Sequence, residues 1–207
     1  MHARVLRLKG SAEKIDDGVE NYKSRVAPAL RDQDGYGGAR LLINRETGDA
    51  MSVTFWRDEN ASRTSFEALS STRAEASSRF GSETPETKVY EAAVQHRPQP
   101  TEPGNWVRIT TMSGDPAKVE DGIRHFESQV IPGMSQIHGF RGAVLFVDRA
   151  TGDALAATIW DSKGDLEASA SEASPIRAKA SAVLGASDPL VENYEVAFAE
   201  LPAPVSS

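Results

Sequence analysis

The stretch Gly35-Tyr36-Gly37-Gly38-Ala39-Arg40-Leu41-Leu42-Ile43-Asn44-Arg45-Glu46-Thr47-Gly48-Asp49-Ala50-Met51-Ser52-Val53-Thr54-Phe55-Trp56 occurs twice in this chain. Its second copy runs from Gly139-Phe140-Arg141-Gly142 to Thr158-Ile159-Trp160, and Thr47-Gly48-Asp49 returns as Thr151-Gly152-Asp153, an offset of 104 (151 minus 47). Each copy reads as a β-hairpin whose turn glycine takes a left-handed conformation at no Cβ cost. The side chains suggest a register. A three-residue loop Glu46-Thr47-Gly48 sets Arg45 opposite Asp49, Ile43 opposite Met51, Leu41 opposite Val53 and Ala39 opposite Phe55, so the large apolar residues share one face. A one-residue slip would send every side chain to the other face. The second face then carries Arg40, Leu42 and Asn44 against Ala50, Ser52, Thr54 and Trp56, and its small residues leave room for helices or for a ligand.

Working outward, the repeat covers nearly the whole chain. Residues 3–94 align with 107–198 without a gap, and about a third of the positions are identical. Residues 3–9 alternate apolar and basic, as a short strand does. Ser11, matched by Asp115, can cap the helix that follows. That helix has Ile15, Val19, Tyr22 and Val26 on one stripe, and its partner has Val119, Ile123, Phe126 and Val130. Pro28 and Pro132 fall near the ends, where proline predicts a kink or a stop. After the hairpin, Asp58 or Ser62 opens a second helix with Phe66, Leu69, Arg73, Ala76 and Phe80 on one stripe. Its partner stripe is Ala170, Ala173, Arg177, Ala180 and Leu184, and Gly81 and Gly185 suit the helix stops. A last strand lies near 87–94 and 191–199. The order in each half is βαββαβ. The expected division is a first repeat over 1–95, a proline-rich linker over 96–105, a second repeat over 106–201 and a loose tail over 202–207.

Composition narrows the function classes. The formal net charge of −7 argues against a nucleic-acid footprint. The first 94 residues carry 14 basic and 15 acidic side chains and the remainder 9 and 15, so the acidity sits in the second half. With no cysteine there is no disulfide, thiolate metal site or cysteine nucleophile, which fits a cytoplasmic protein. The charged, alternating N-terminus does not read as a signal peptide, and no apolar stretch of about 18 residues predicts a membrane span.

Together these features identify a family. Each half resembles the dimeric α+β barrel superfamily, best known for the antibiotic-biosynthesis monooxygenases. The matching features are the strand order, the helix ending with Pro28 or Pro132, the glycine-rich entries Gly35–Gly38 and Gly139–Gly142, and the hairpins ending in Trp56 and Trp160. The resemblance implies an α+β fold in which two ferredoxin-like repeats form the barrel within one chain, where single-repeat members pair as homodimers. A monomer, or a further homodimer, is then expected. Physics agrees: a four-stranded sheet with helices on one face leaves its other face, here assigned Ile43, Val53 and Phe55, in need of cover.

For activity, the resemblance implies a cofactor-independent, monooxygenase-like enzyme acting on an aromatic or polyketide-like small molecule. The alternative is a non-catalytic ligand-binding or interaction module. Trp56 and Trp160 match a pocket-lining tryptophan of the family, and equally suit core aromatics at strand ends. Arg73 and Arg177 lie on apolar stripes and need partners. Those are either Glu91 and Glu195 in a repeated ion pair or an anionic ligand. Arg40 has Val144 as its counterpart; it is a ligand contact of the first half, or an edge residue reaching solvent. His125 sits at the rim of a helix stripe within reach of a pocket, and His138 precedes a glycine turn at the surface. Neither histidine has a second at metal-ligand spacing, so no metal site is expected. The first strands lack the asparagine that some oxygenase members use, and the second helices lack the histidine of haem-degrading members. No cofactor is therefore expected. One closed, polar-lined cavity would favour an enzyme; two filled sites would favour a structural module.

Overall fold

The computed structural model describes residues 1–83 and 85–201. The tail expected over 202–207 lies outside the described residues. The described residues form eight strands: β1 (His2–Leu8), β2 (Tyr36–Ile43), β3 (Ala50–Trp56), β4 (Glu86–His96), β5 (Trp106–Ser113), β6 (Phe140–Val147), β7 (Asp153–Trp160) and β8 (Leu190–Glu200). They close into one barrel in the order β1-β3-β2-β8-β5-β7-β6-β4. This is the intramolecular α+β barrel expected of two βαββαβ repeats. Among the described residues no helix is long and apolar enough to cross a membrane.

The chain folds as two compact units. The first holds residues 1–90 and the end of β8 from Glu195 onward. There β2 pairs with β8, Ala39 opposite Glu200 and Ile43 opposite Glu195. The second holds residues 91–194, where the end of β4 pairs with β6, Glu91 opposite Val147 and His96 opposite Ala143. Each unit therefore completes its sheet with a strand end from the other sequence repeat. At both seams an arginine from the hairpin loop meets a strand glutamate. Arg45 donates to Glu195 at 3.0 Å and to Asp16 at 2.7 Å. Arg149 donates to Glu91 at 2.5 Å and also pairs with Glu120. The repeated Arg–Glu pair thus exists, but with Arg45 and Arg149 where Arg73 and Arg177 were expected. Register explains this: Ile43, the last residue of β2, lies opposite Glu195, so Arg45, two residues on in the loop, is within reach.

The hairpin register differs by one residue from the expected one. Ile43 faces Ala50, Leu42 faces Met51, Leu41 faces Ser52 and Arg40 faces Val53. The loop has four residues, Arg45 to Gly48, because Asn44 acts as a turn residue. Its Oδ1 accepts from the backbone N–H groups of Glu46 at 2.9 Å and Thr47 at 3.1 Å, while Gly48 N–H donates to its carbonyl. Asp148 does the same in the second copy. Gly48 has φ 83°, and a Cβ there would stand 2.4 Å from backbone atoms of Ser11 and Ala12. Near the start of β2 a bulge between Tyr36 and Gly38 restores the pairing of Tyr36 with Trp56.

The consequence is a re-sorted sheet. On β3, Ala50, Ser52, Thr54 and Trp56 share the helix-facing side as expected, but Leu41 and Ile43 join them. The first core packs Leu8, Leu41, Ile43 and Trp56 against Ile15, Val19, Tyr22 and Phe80. Ile43 is therefore not on the face with Val53 and Phe55; Arg40 and Leu42 are. The second core repeats the arrangement with Leu145, Val147 and Trp160 against Val119, Phe126 and Leu184.

The prolines neither stop nor break the first helix. In the first unit α1 (Ile15–Asn21) runs through a π turn (Tyr22–Val26) into α2 (Ala27–Arg31). Ala27 N–H donates to the Tyr22 carbonyl, one residue beyond the α-helical partner. Pro28 has no N–H and its ring would strike the carbonyl four residues earlier; the wider turn accommodates both. A single α-helix turn and more then follow. The remaining helices are α3 (Glu59–Ala68) and α4 (Ser70–Phe80). In the second unit they are α5 (Val119–His125), a π turn (Phe126–Val130), α6 (Ile131–Met134), α7 (Lys163–Ala168) and α8 (Ala170–Leu184). Asp58 caps α3 by accepting from Ala61 N–H, and Asp115 accepts from Ala117 N–H. Ser11 occupies the cap position of its turn without making the side-chain bond.

Candidate functional site

In the first unit Arg4 lies opposite Thr54 on the helix-facing side of the sheet. A guanidinium there is buried and must find acceptors. Its Nη1 donates to the Ser62 carbonyl at 2.7 Å and to Ser65 Oγ at 3.0 Å, both on α3. The plane of charge lies 4.8 Å from the centroid of Trp56 and 5.3 Å from that of Phe66. Burial, and next the repulsion of Arg73, push Arg4 down to about 10, so it remains charged at neutral pH. α3 and α4 part at Leu69, and from α4 Arg73 folds back over the same ring. Its guanidinium is 3.5 Å from the Phe66 centroid, and its Nη1 donates to the Phe66 carbonyl at 2.6 Å. Burial lowers its pKa.

Between these groups is a cavity of about 50 Å³ under the helices. Its polar lining is Arg4, Arg73, Tyr22, Ser52, Thr54 and Thr72; the rest is aliphatic or aromatic. Tyr22 comes from the π turn, and its hydroxyl lies 3.0 Å from Ser52 Oγ. Burial pushes that phenol up to about 12, so it is a neutral hydrogen-bonding group at neutral pH. No acid and no imidazole lines the cavity among the described residues. Two like charges thus converge on an apolar space with only neutral partners. Such a space attracts an anion.

The second unit repeats the frame. Arg108 lies opposite Thr158 and donates to Ser169 Oγ at 3.0 Å and to the Leu166 carbonyl at 2.6 Å. Its guanidinium is 5.9 Å from the Trp160 centroid. A cavity of about 40 Å³ is lined by Arg108, Arg177, Thr110 and Thr158 among apolar residues.

The residues singled out from sequence are distributed unevenly. Arg73 and Arg177 line the two cavities. Trp56 and Trp160 are fully buried behind them and line neither; each indole N–H donates to the threonine two residues earlier, at 2.9 and 3.0 Å. Arg40 is buried on the opposite face of the sheet, 5.8 Å from the Phe55 ring, away from the first cavity. It is no edge residue, since β2 runs between β3 and β8. His125 is half-buried at the end of α5, where burial and then Lys179 lower its pKa, and it lines neither cavity. His138 is exposed, with Nδ1 3.0 Å from Asp165. Sequence reasoning missed Arg4 and Arg108, although both repeat at the offset of 104. The argument applied to Arg73 would have found them, had the strand faces been known.

No protein-family model matches the chain. An uncharacterized protein of Mycobacterium tuberculosis strain H37Rv is 29% identical over 204 residues, covering 99% of this chain and 91% of that protein. Among solved structures, a candidate monooxygenase from Lactobacillus acidophilus superposes with a TM-score of 0.72 at 7% identity, covering 97% of this chain and 95% of the other. An anthrone oxidase-like protein gives 0.72 at 15% identity, covering 98% and 94%. The chain has the dimeric α+β barrel fold. This barrel is the one adopted by monooxygenase-like proteins, here closed by a single polypeptide.

Proposed function

We propose that the first unit of this barrel binds a planar aromatic or polyketide-like small molecule as its enolate or phenolate, and oxygenates it without a cofactor. One observation carries the reading: Arg4 and Arg73 both stand against the ring of Phe66, beside a cavity that no acid lines among the described residues. The half-buried Phe66 ring occupies the place of a ligand ring held by two guanidiniums. At about 50 Å³ the cavity has room for about four waters. A benzene-sized guest needs roughly 150 Å³, so an aromatic ligand enters by displacing Phe66. The likeness to an anthrone oxidase-like protein suggests the chemical class.

The chemistry follows from charge. At about 4 Å and an effective dielectric near 20, one guanidinium stabilises an anion by roughly 4 kcal/mol, or about three pKa units. Two would favour the enolate of an anthrone-like ketone, which is acidic because its enolate is an aromatic phenolate; the proton leaves to water, since no acid or imidazole lines the site among the described residues. Dioxygen then takes the electrons: a CH2 group and O2 give a C=O group and H2O, four electrons passing from carbon to oxygen. The barrel closed within one chain supports a monomer, which native mass spectrometry would test.

The test is oxygen uptake and binding with anthrone. The expected result is saturable binding and consumption of one O2 per anthrone, both weakened at least tenfold in Arg4→Met, with binding tightened in Phe66→Ala. Saturable binding without oxygen uptake would leave the ligand-binding module. No binding in either wild type or Phe66→Ala would overturn the reading.

A further inference from the structure

The second cavity differs from the first in what holds its arginine. Where Arg73 has Phe66, Arg177 has Ala170, an exposed residue with no ring to offer. Arg73 gives its Nη1 to the Phe66 carbonyl. The Nη1 of Arg177 is buried and has no hydrogen-bond partner among the described residues. A buried donor without an acceptor is costly and calls for a partner that the chain does not supply.

The surrounding lining sharpens this. Phe126 and Ala156 replace Tyr22 and Ser52, so the hydroxyl pair of the first unit is gone. What remains polar is Arg108, Thr110, Thr158 and Arg177. Thr158 Oγ1 already accepts from Trp160. The acceptors that Arg108 finds among the described residues are neutral, the Ser169 hydroxyl and the Leu166 carbonyl. Arg108 and Arg177 repel each other enough to lower the pKa of Arg108, after burial as the larger cause. No carboxylate lines the cavity among the described residues. The space of about 40 Å³ equals roughly three waters. That suits a two-oxygen head with a methyl group and excludes an aromatic ring.

We infer that the second unit binds a small carboxylate, of formate or acetate size, between Arg108 and Arg177. The site is independent of the aromatic pocket proposed for the first unit. A carboxylate would accept from the free Nη1, neutralise one of two facing charges, and set its methyl against Met112, Val130 and Ala180. A water cluster would fill the volume and leave both charges uncompensated.

The probe is acetate, titrated into the full-length protein at constant ionic strength, with the arginine Nε–Hε signals read by NMR. Expected are saturable shifts of the Arg108 and Arg177 signals sharing one dissociation constant. Acetamide, the neutral isostere, should give none. Arg177→Ala should weaken acetate at least tenfold, and it should fold, because the lost Nη1 has no partner to abandon. Ala170→Phe keeps the charge but offers Arg177 a ring, and should weaken acetate about fivefold. Arg73→Ala should leave the constant unchanged. Shifts that do not saturate, or equal shifts with acetamide, or unchanged binding in both Arg177→Ala and Ala170→Phe, would overturn the inference.

Discussion

The two cavities have one frame and two interiors. Arg4, Thr54, Trp56, Ser65 and Arg73 recur as Arg108, Thr158, Trp160, Ser169 and Arg177. The strand arginine, its serine on the next helix, and the tryptophan behind it are held alike in both units. What changes is the layer around them: Tyr22, Ser52 and Phe66 become Phe126, Ala156 and Ala170. In the first unit those three residues supply a hydroxyl pair and an aromatic ring against which both Arg4 and Arg73 stand. In the second, with those residues replaced, a buried N–H of Arg177 is unpaired among the described residues. The frame is therefore a property of the fold, and the two cavities differ in a few lining residues. Duplication lets one copy change its interior while the other keeps its own.

That comparison can be broken where the frame is shared. Arg4→Met and Arg108→Met should each destabilise by about 2 to 3 kcal/mol, since each removes charge-assisted hydrogen bonds to a buried carbonyl and hydroxyl. Denaturant midpoints measure this, and a large inequality would mean the frames are not equivalent. The interiors should behave differently. Phe126→Tyr places a hydroxyl where Ala156 offers no partner, costing about 2 kcal/mol. Adding Ala156→Ser should recover about 1 kcal/mol in a double-mutant cycle. Tyr22→Phe, the reverse change, should cost about 1 kcal/mol.

Finer effects sharpen the contrast between the second-helix arginines. Arg73→Ala loses a hydrogen bond and a stacked ring and should cost about 1 kcal/mol. Arg177→Ala loses neither and should cost close to nothing. Equal losses would remove the asymmetry on which the two ligand assignments rest. The smallest effect is a pH dependence in the first unit. On the proposed function an aromatic anion would bind the charged form of Arg4, whose pKa is lowered to about 10, so affinity should hold below that value and fall as pH rises through it. At pH 10.5 binding should be about fourfold weaker than at pH 8, by simple titration of one group. An affinity constant to pH 10.5 would place the ligand away from Arg4.

The sequence was legible wherever a local pattern had only one physical solution. The repeat, the order of elements, the helix stripes ending at Gly81 and Gly185, and the barrel were all readable, because periodicity and left-handed stops are set by neighbouring residues. The hairpin faces were not. Choosing a register by grouping large apolar residues assumed that only one face of the sheet is apolar, whereas both faces are buried. Asn44 held the better signal, since its side chain organises a four-residue loop. The same error hid Arg4, which reads as one of several basic residues on a short strand until its face is known.

By itself, then, the sequence determined a tandem α+β barrel and pointed to Arg73 and Arg177 as charges in need of partners. Tertiary structure decided which partners they have. Glu91 and Glu195 are taken by Arg149 and Arg45 across the strand seams. Arg73 rests on Phe66, and the buried Nη1 of Arg177 has no hydrogen-bond partner among the described residues. Hydrogen-bond partners of a buried charge come from residues far apart in the chain, such as Arg4 and Ser62, and depend on register to within one residue. No local pattern of side chains encodes that choice; only the packed sheet and helices fix it.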